Sequence, residues 1–384
     1  MTVHIFNPEH DIALASGLSN FTAPHAGRQL RHDLGFLPAI WAGEGDVILV
    51  DDAEQAARLW HKTAHRAERL LGRPGLAAKN LSFESARHQI GKLQASQIEP
   101  WGWNVALRSA LLRQDADERL LPTTEQLDTM RQLSHRRTAA ALLPKLRQAG
   151  TVGEAFECRK IDEVYALLSQ YGQVVLKAPW SSSGRGVRFC DARHLNGQTG
   201  NEQGWLRNVL STQGSVMVEP YYNKVKDFGM EFVSDGNGKV SFLGLSLFHT
   251  ANGAYTGNVL ATESVKHEMI SRYLSMDLLD SIQEKICTEL GEAYDGKYCG
   301  PFGVDMMVCA PAGQKNSDEI GKNEGFLLHP CVEINLRRTM GHVALALAPT
   351  DDDIRCVMRI DYAVGNYKLT IISEGVRGLK NSSN

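Results

Sequence analysis

The chain has 384 residues, with Lys+Arg 41 against Asp+Glu 44 for a net charge of -3, 43% hydrophobic and 22% charged residues. At about 150 residues per domain this is two to three domains, and so ordinary a composition excludes disordered and fibrous classes. The missing positive field argues against nucleic acid or an anionic membrane surface as the main partner.

Seven cysteines, none before Cys158, form no C-x-x-C pair and no even framework. Reduced thiols in a cytoplasmic protein are expected from that spacing. No apolar run approaches the roughly 18 residues of a membrane span. Thr2 to Asn7 already reads as a strand of the mature fold, so no secretion signal is expected and the sequon at Asn20 is plain surface sequence.

Taken in chain order, Val3 to Phe6 and Val47 to Val50 read as strands, and Ala53 to Leu71 as an amphipathic helix with a basic solvated face. Strand and helix thus alternate as in βαβ units. A helix from Asn104 to Arg113 precedes Leu121-Pro122-Thr123-Thr124, where a Pro/Thr break and a helix N-cap mark a domain boundary. Helical patterns over Glu125 to Ala149 and Ile161 to Tyr171 then lead to an apolar strand, Gln173 to Lys177.

That strand runs into Lys177-Ala178-Pro179-Trp180-Ser181-Ser182-Ser183-Gly184-Arg185-Gly186-Val187. Small residues let backbone N–H groups approach an anion, hydroxyls add donors, and the Lys adds a point charge. The loop suits polyphosphate, although a hairpin tip beside a Lys reads the same way. It is not a Walker A loop, because the Lys precedes the Ser/Gly run. Downstream, Gly303-Val304-Asp305 and Glu333-Ile334-Asn335 each place acidic residues inside apolar strands. Glu333, Asn335 and Arg337 share a face by alternation. With Asp305 on a neighbouring strand, Glu333 and Asn335 offer hard oxygen ligands for Mg²⁺ on nucleotide phosphates, with a structural ion-pair network as the alternative.

The order Arg136, the Lys177 to Val187 loop, Val216 to Tyr222, Gly303 to Asp305 and Glu333 to Arg337 resembles the ATP-grasp superfamily over about Thr123 to Ala348. The resemblance implies an α/β protein with a Rossmann-like pre-grasp domain (1–124), a small grasp lobe with the phosphate loop (125–213) and a large lobe with the metal strands and tail (214–384). It implies that Arg136 and Lys177 touch ATP phosphates and that Ser181, Ser182, Ser183, Gly184 and Gly186 belong to a loop closing over them. His135 stands where the family usually has Asp. Backbone groups of Glu219 and Tyr222 would read adenine, and Asp227 would meet the ribose. Asp305, Glu333 and Asn335 match the metal ligands for Mg²⁺, or Mn²⁺, and Arg337 the catalytic cation, with Lys177 beside it.

The implied activity is ligation of a small-molecule or peptide carboxylate to an amine, or a thiol, through an acyl phosphate, with release of ADP and phosphate. A small-molecule kinase and a non-catalytic ATP-binding regulator are the alternatives, and a homo-oligomer stays open. For the acceptor, Glu9, His10 and Asp11 follow the first strand, where open α/β sheets gather ligands, with helix capping as the other reading. His249, Tyr255 and Asn258 lie in a Gly/Asn-rich segment that faces either substrate or solvent. His342 lies just past Arg337, where it either points into the same cleft or, as is more common for a lone His, packs or faces solvent.

Overall fold

The computed structural model describes residues 1–85, 90–181, 186–191, 193, 202–251, 254–311 and 325–374. Strands β1 (Thr2–Ile5), β2 (Val47–Val50), β3 (Ser82–Ser85) and β4 (Gln97–Pro100) form a parallel sheet in the order β3-β2-β1-β4. Helices α1 (His10–Ser16), α2 (His25–Leu34), α3 (Ala53–Leu71) and α4 (Val105–Leu112) connect and flank it. Helix α3 begins where Asp52 accepts the Gln55 N–H at 2.9 Å and stops at Gly72, whose φ of +62° a side chain disfavours. It buries Ala56, Trp60, Ala64, Ala67 and Leu71, a stripe at helical spacing. Its basic face is not wholly solvated, since the Arg66 guanidinium donates twice to the Ile371 carbonyl, at 3.1 and 2.8 Å.

The helix expected over 125–149 is two helices, α5 (Thr124–Leu133), capped by Thr123 and Gln126, and α6 (Arg137–Leu146). Between them His135 turns its Nδ1 onto the backbone N–H of Arg137 at 3.0 Å. This capping bond is one an Asp could also accept, which accounts for a His in that place.

The second unit is an antiparallel sheet ordered β5-β8-β6-β7, from β5 (Phe156–Cys158), β6 (Gln173–Lys177), β7 (Val187–Asp191) and β8 (Val216–Pro220). Helices α7 (Ile161–Tyr171) and α8 (Glu202–Gln213) cover one face, packing on Val174, Leu176, Cys190, Val216 and Val218. Strand alternation turns Val175, Lys177, Phe189, Met217 and Glu219 to the other face.

The large lobe holds two antiparallel sheets. One, ordered β10-β9-β13-β14, comprises β9 (Lys224–Asp235), β10 (Val240–Ser246), β13 (Cys299–Cys309) and β14 (Leu327–Asn335), backed by α9 (Glu263–Ser271) and α10 (Met276–Tyr294). The other joins β11 (Phe248–Ala251), β12 (Ala254–Leu260), β15 (Cys356–Ala363) and β16 (Asn366–Ser373). Helix α11 (Met340–Ala346) follows the turn after β14. Two expected boundaries move. Strand β8 places the end of the second unit's sheet at 220 instead of 213, and Ala139, Leu142, Leu143 and Leu146 of α6 pack into the large-lobe core. The first unit also shares a core with the large lobe, where Trp60, Ala64 and Leu71 meet Leu260, Met358 and Ile371.

Candidate active site

Strands β13 and β14 pair in a register that sets Asp305 opposite Glu333 and Gly303 opposite Asn335. Directly opposed residues project from the same face, so two carboxylates and an amide converge as expected. The glycine is required, because a Cβ at Gly303 would lie 2.6 Å from a Glu231 carboxylate oxygen. Asn335 Nδ2 donates to Asp305 Oδ2 at 3.1 Å, and its Oδ1 accepts from Arg337 Nη2 at 3.0 Å. That amide oxygen keeps one lone pair for a cation. Burial, then Glu333 and Glu231, push the Asp305 carboxyl up to about 8. Among the described residues no three His, Cys, Asp or Glu side chains form a metal cluster. Two carboxylates and an amide under mutual repulsion nevertheless fit a hard divalent cation whose remaining ligands come from phosphates and water.

The raised Asp305 carboxyl, set by burial first and by its acidic neighbours second, has a measurable consequence. The folded protein holds a proton on Asp305 that the unfolded chain, near the ordinary aspartate value of about 3.9, has released, so stability falls as pH rises between that value and about 8. Asp305→Asn removes the loss. In thermal unfolding, the margin by which the variant melts above wild type should widen from pH 5 to pH 8. Identical pH responses of the two proteins would exclude the raised Asp305 carboxyl.

The cations come from the turn before α6 and the end of β6. Arg136 is buried, and its guanidinium donates to the Ala178 carbonyl at 2.5 Å, Ser181 Oγ at 2.9 Å and Glu333 Oε1 at 2.6 Å. Lys177 leaves its strand to meet Glu219 Oε2 at 2.7 Å and the Val332 carbonyl at 3.4 Å. Both thus sit against the acidic strand β14. Gly186 packs so close that a Cβ there would fall 2.2 Å from Ser181 Oγ, and its carbonyl accepts the Ala178 N–H. Ser182, Ser183 and Gly184 lie outside the described residues.

At the other end of this face, Glu219 and Pro220 close β8 and Tyr221 and Tyr222 lead into β9. The Tyr221 N–H is bonded to the Gln173 carbonyl. Its exposed ring meets Phe189 edge-on with centroids 6.1 Å apart. Tyr222 sets its ring against the buried His329 at 5.4 Å. Asp227 lies opposite Met307, one alternation from Asp305, and accepts from Lys224 and Thr250, each at 2.6 Å.

The first unit supplies a third wall. A small cavity is lined by His10, Asp11, Ser134, Trp180, Ser181, Glu333 and Asn335. Asp11 takes Arg337 in a two-toothed pair, Nε to Oδ1 at 2.8 Å and Nη2 to Oδ2 at 2.7 Å. Burial opposes ionisation of Asp11, but the Arg337 guanidinium outweighs it and holds the carboxyl below its ordinary range. His10 is buried, pushed down to about 4 mainly by that burial, and its Nδ1 faces the Asn104 amide at 3.3 Å. The ring rests on Gly102, where a Cβ would come within 2.7 Å. Glu9 turns away to Arg31 at 2.7 Å. Of the three acceptor candidates, Asp11 therefore carries its charge to the acidic strands, His10 lines the cavity beside it while packing on Gly102, and Glu9 pairs within its own unit.

The candidates of the Gly/Asn-rich segment separate similarly. His249 is exposed, with Lys226, Glu374 and Arg359 as its charged neighbours. Tyr255 donates to Asn258 Oδ1 at 2.5 Å, and Asn258 Nδ2 donates to Ser246 Oγ at 2.9 Å, a chain beneath the site floor. His342 is buried, with Nδ1 2.9 Å from Glu231 Oε2 and Nε2 3.2 Å from the Phe232 carbonyl, so it packs and does not face the cleft. Sequence reasoning missed the side-chain partners: Glu219 for Lys177, Glu231 behind Asp305, and Glu333 for Arg136. Their only signal was an acidic residue inside an apolar strand.

No protein-family model and no curated protein matches the chain. Among solved structures it is similar to N5-carboxyaminoimidazole synthetase from Staphylococcus aureus complexed with ADP, at 12% identity over 94% of this chain and 82% of that one, with a TM-score of 0.45. It is also similar to the biotin carboxylase domain of the Hydrogenobacter thermophilus 2-oxoglutarate carboxylase, at 13% identity over 94% and 74% with a TM-score of 0.48. Biotin carboxylase from Campylobacter jejuni stands at 15% identity over 94% and 75%, with a TM-score of 0.45.

Proposed function

We propose that the protein is an ATP-grasp enzyme that ligates a carboxylate to an amine, using ATP and Mg²⁺. The observation that carries this reading is the meeting of two sets in one cleft: the Asp305, Glu333 and Asn335 oxygens on paired strands, and the cations of Arg136, from the turn before α6, and Lys177, from the end of β6, joined to them at 2.6 Å (Arg136 to Glu333) and through the Val332 carbonyl. Cations beside acidic metal-type ligands suit a nucleotide polyphosphate held between the two sheets.

In this reading Phe189, Val175 and the Tyr221 ring offer an apolar seat for the base, on the sheet face opposite α7 and α8. Lys177 and Arg136 hold the phosphates, and Asp227, on β9 opposite Met307, is assigned to the ribose. Bound Mg²⁺, or Mn²⁺, held by Asp305, Glu333 and Asn335 supplies charge neutralisation on the transferring phosphoryl group. The acceptor carboxylate oxygen bonds to the γ-phosphorus as the bond from that phosphorus to the bridging oxygen of ADP breaks. An amine then attacks the acyl carbon, the bond from carbon to the phosphate oxygen breaks, and the amine proton leaves with phosphate or solvent. The cavity walls of Trp180, Leu14 and Leu336 help keep water from the acyl phosphate. All seven cysteines are unpaired, which supports residence in a reducing cytoplasm.

The test begins with nucleotide binding. An ATP analogue with Mg²⁺ at 100 times its dissociation constant should stabilise the protein by about 2.7 kcal/mol, and Glu333→Ala should remove the Mg²⁺-dependent part. Incubation with ATP, carboxylic acids and hydroxylamine should then yield a hydroxamate and ADP. AMP as product would contradict the acyl-phosphate route, and a stable phosphate ester without hydroxamate would establish a kinase instead.

A further inference from the structure

Arg337 is the cation nearest the acidic strands that arrives from their own chain segment, and its guanidinium is already anchored. Of its five N–H groups, Nε and one on Nη2 go to Asp11, the other on Nη2 goes to Asn335 Oδ1, and one on Nη1 goes to the Arg338 carbonyl at 3.2 Å. A single Nη1 hydrogen remains. The edge that would clamp a carboxylate in two-toothed fashion is occupied by the first unit's own carboxylate.

Asp11 is itself held in place. It sits in the first turn of α1, on the loop that follows β1, and the Asn7 side chain exchanges two bonds with the Gly102 backbone, at 2.8 and 3.3 Å. The turn carrying Arg337 docks on the same unit, through the Arg338 N–H to the Trp101 carbonyl at 2.9 Å, the Arg338 guanidinium over the Trp41 ring at 4.5 Å, and Arg338 to Glu99 at 3.7 Å. Both partners of the pair are therefore fixed to one interface, and both Asp11 and Asn335 line the cavity that reaches Glu333 and Ser181.

We propose that Asp11 is a positioning residue for Arg337: the first unit sets the plane of this guanidinium, so that it meets the transferring phosphoryl group with one Nη1 N–H and does not clamp the acceptor carboxylate. This rests on the nucleotide reading above. It follows that Asp11 acts only when charge has spread onto the transferring group, because a hydrogen bond fixed in space is worth most where charge develops.

The test compares two probes on the full chain, ADP with Mg²⁺ and ADP with Mg²⁺ and aluminium fluoride, a planar mimic of the phosphoryl group in flight. Asp11→Asn should leave the ADP affinity within about two-fold and weaken the aluminium fluoride complex by about ten-fold or more, on the scale of a misplaced catalytic group. Asp11→Glu should recover part of the loss. Glu99→Gln loosens the same interface without touching Arg337 and should change neither affinity. Equal weakening of both complexes in Asp11→Asn, or none in either, overturns the proposal. Wild type that fails to bind ADP with Mg²⁺ overturns the nucleotide reading, and this inference with it.

Discussion

Arg337→Ala should cut ATP turnover by about 10³-fold or more, the range set by removing a cation that stabilises phosphoryl transfer, while nucleotide affinity stays near that of wild type. The reasoning is positional. Arg337 meets Asn335 at 3.0 Å and Asp11 at 2.7 Å, beside the acidic strands, whereas the proposed phosphate and base contacts are Lys177, Arg136, Phe189 and Tyr221. It therefore contributes little to holding the ground-state nucleotide. Alanine also leaves the Asp11 carboxylate without the charge that holds it below its ordinary range, so the variant should lose stability at neutral pH and recover part of it in acid, where Asp11 takes a proton. Steady-state kinetics with parallel unfolding curves separates the two effects. A variant with wild-type kcat and a raised KM for ATP would move Arg337 from the reaction to nucleotide binding.

Lys177→Ala should destabilise the fold by about 3–5 kcal/mol, because it removes one partner of a buried pair and strands the other. Lys177 and Glu219 meet at 2.7 Å with side chains only 9% and 8% exposed. The paired replacement Lys177→Met with Glu219→Gln removes both charges together, and should return most of that stability. Both variants should still lose the Mg²⁺-nucleotide thermal shift, since neither keeps a cation at the end of β6. Recovery of stability together with loss of binding is the expected pattern. A double variant that binds nucleotide normally would show that the pair is architectural only.

The pair explains a limit of reading the chain as a string. Lys177 stood out because it closes an apolar strand before a run of Ser and Gly, and Asp305, Glu333, Asn335 and Arg337 because charged groups inside apolar strands need partners. The identity of those partners was not legible. Glu219 lies 42 positions from Lys177, Glu333 lies 197 from Arg136, and Asp11 lies 326 from Arg337. Periodicity reports which face a residue occupies within its own element and carries no information about what faces it. His10 shows the converse. Its polar, strand-following position suggested a ligand, yet Gly102 and Asn104 draw the ring into the first unit's interior.

Local sequence was enough to determine α3, β2, α7 and β6, each with the boundaries its pattern implies, and the shared face of Glu333 and Asn335. Those features depend on caps, glycine stops and periods of 3.6 or 2, all of which act within a few residues. Tertiary structure alone decided that β8 lies between β5 and β6, that α6 belongs to the large-lobe core, and that the first unit brings Asp11 to Arg337. Burial of apolar faces selects such arrangements among many with equal local energy, and the placement of charges in the cleft follows from it.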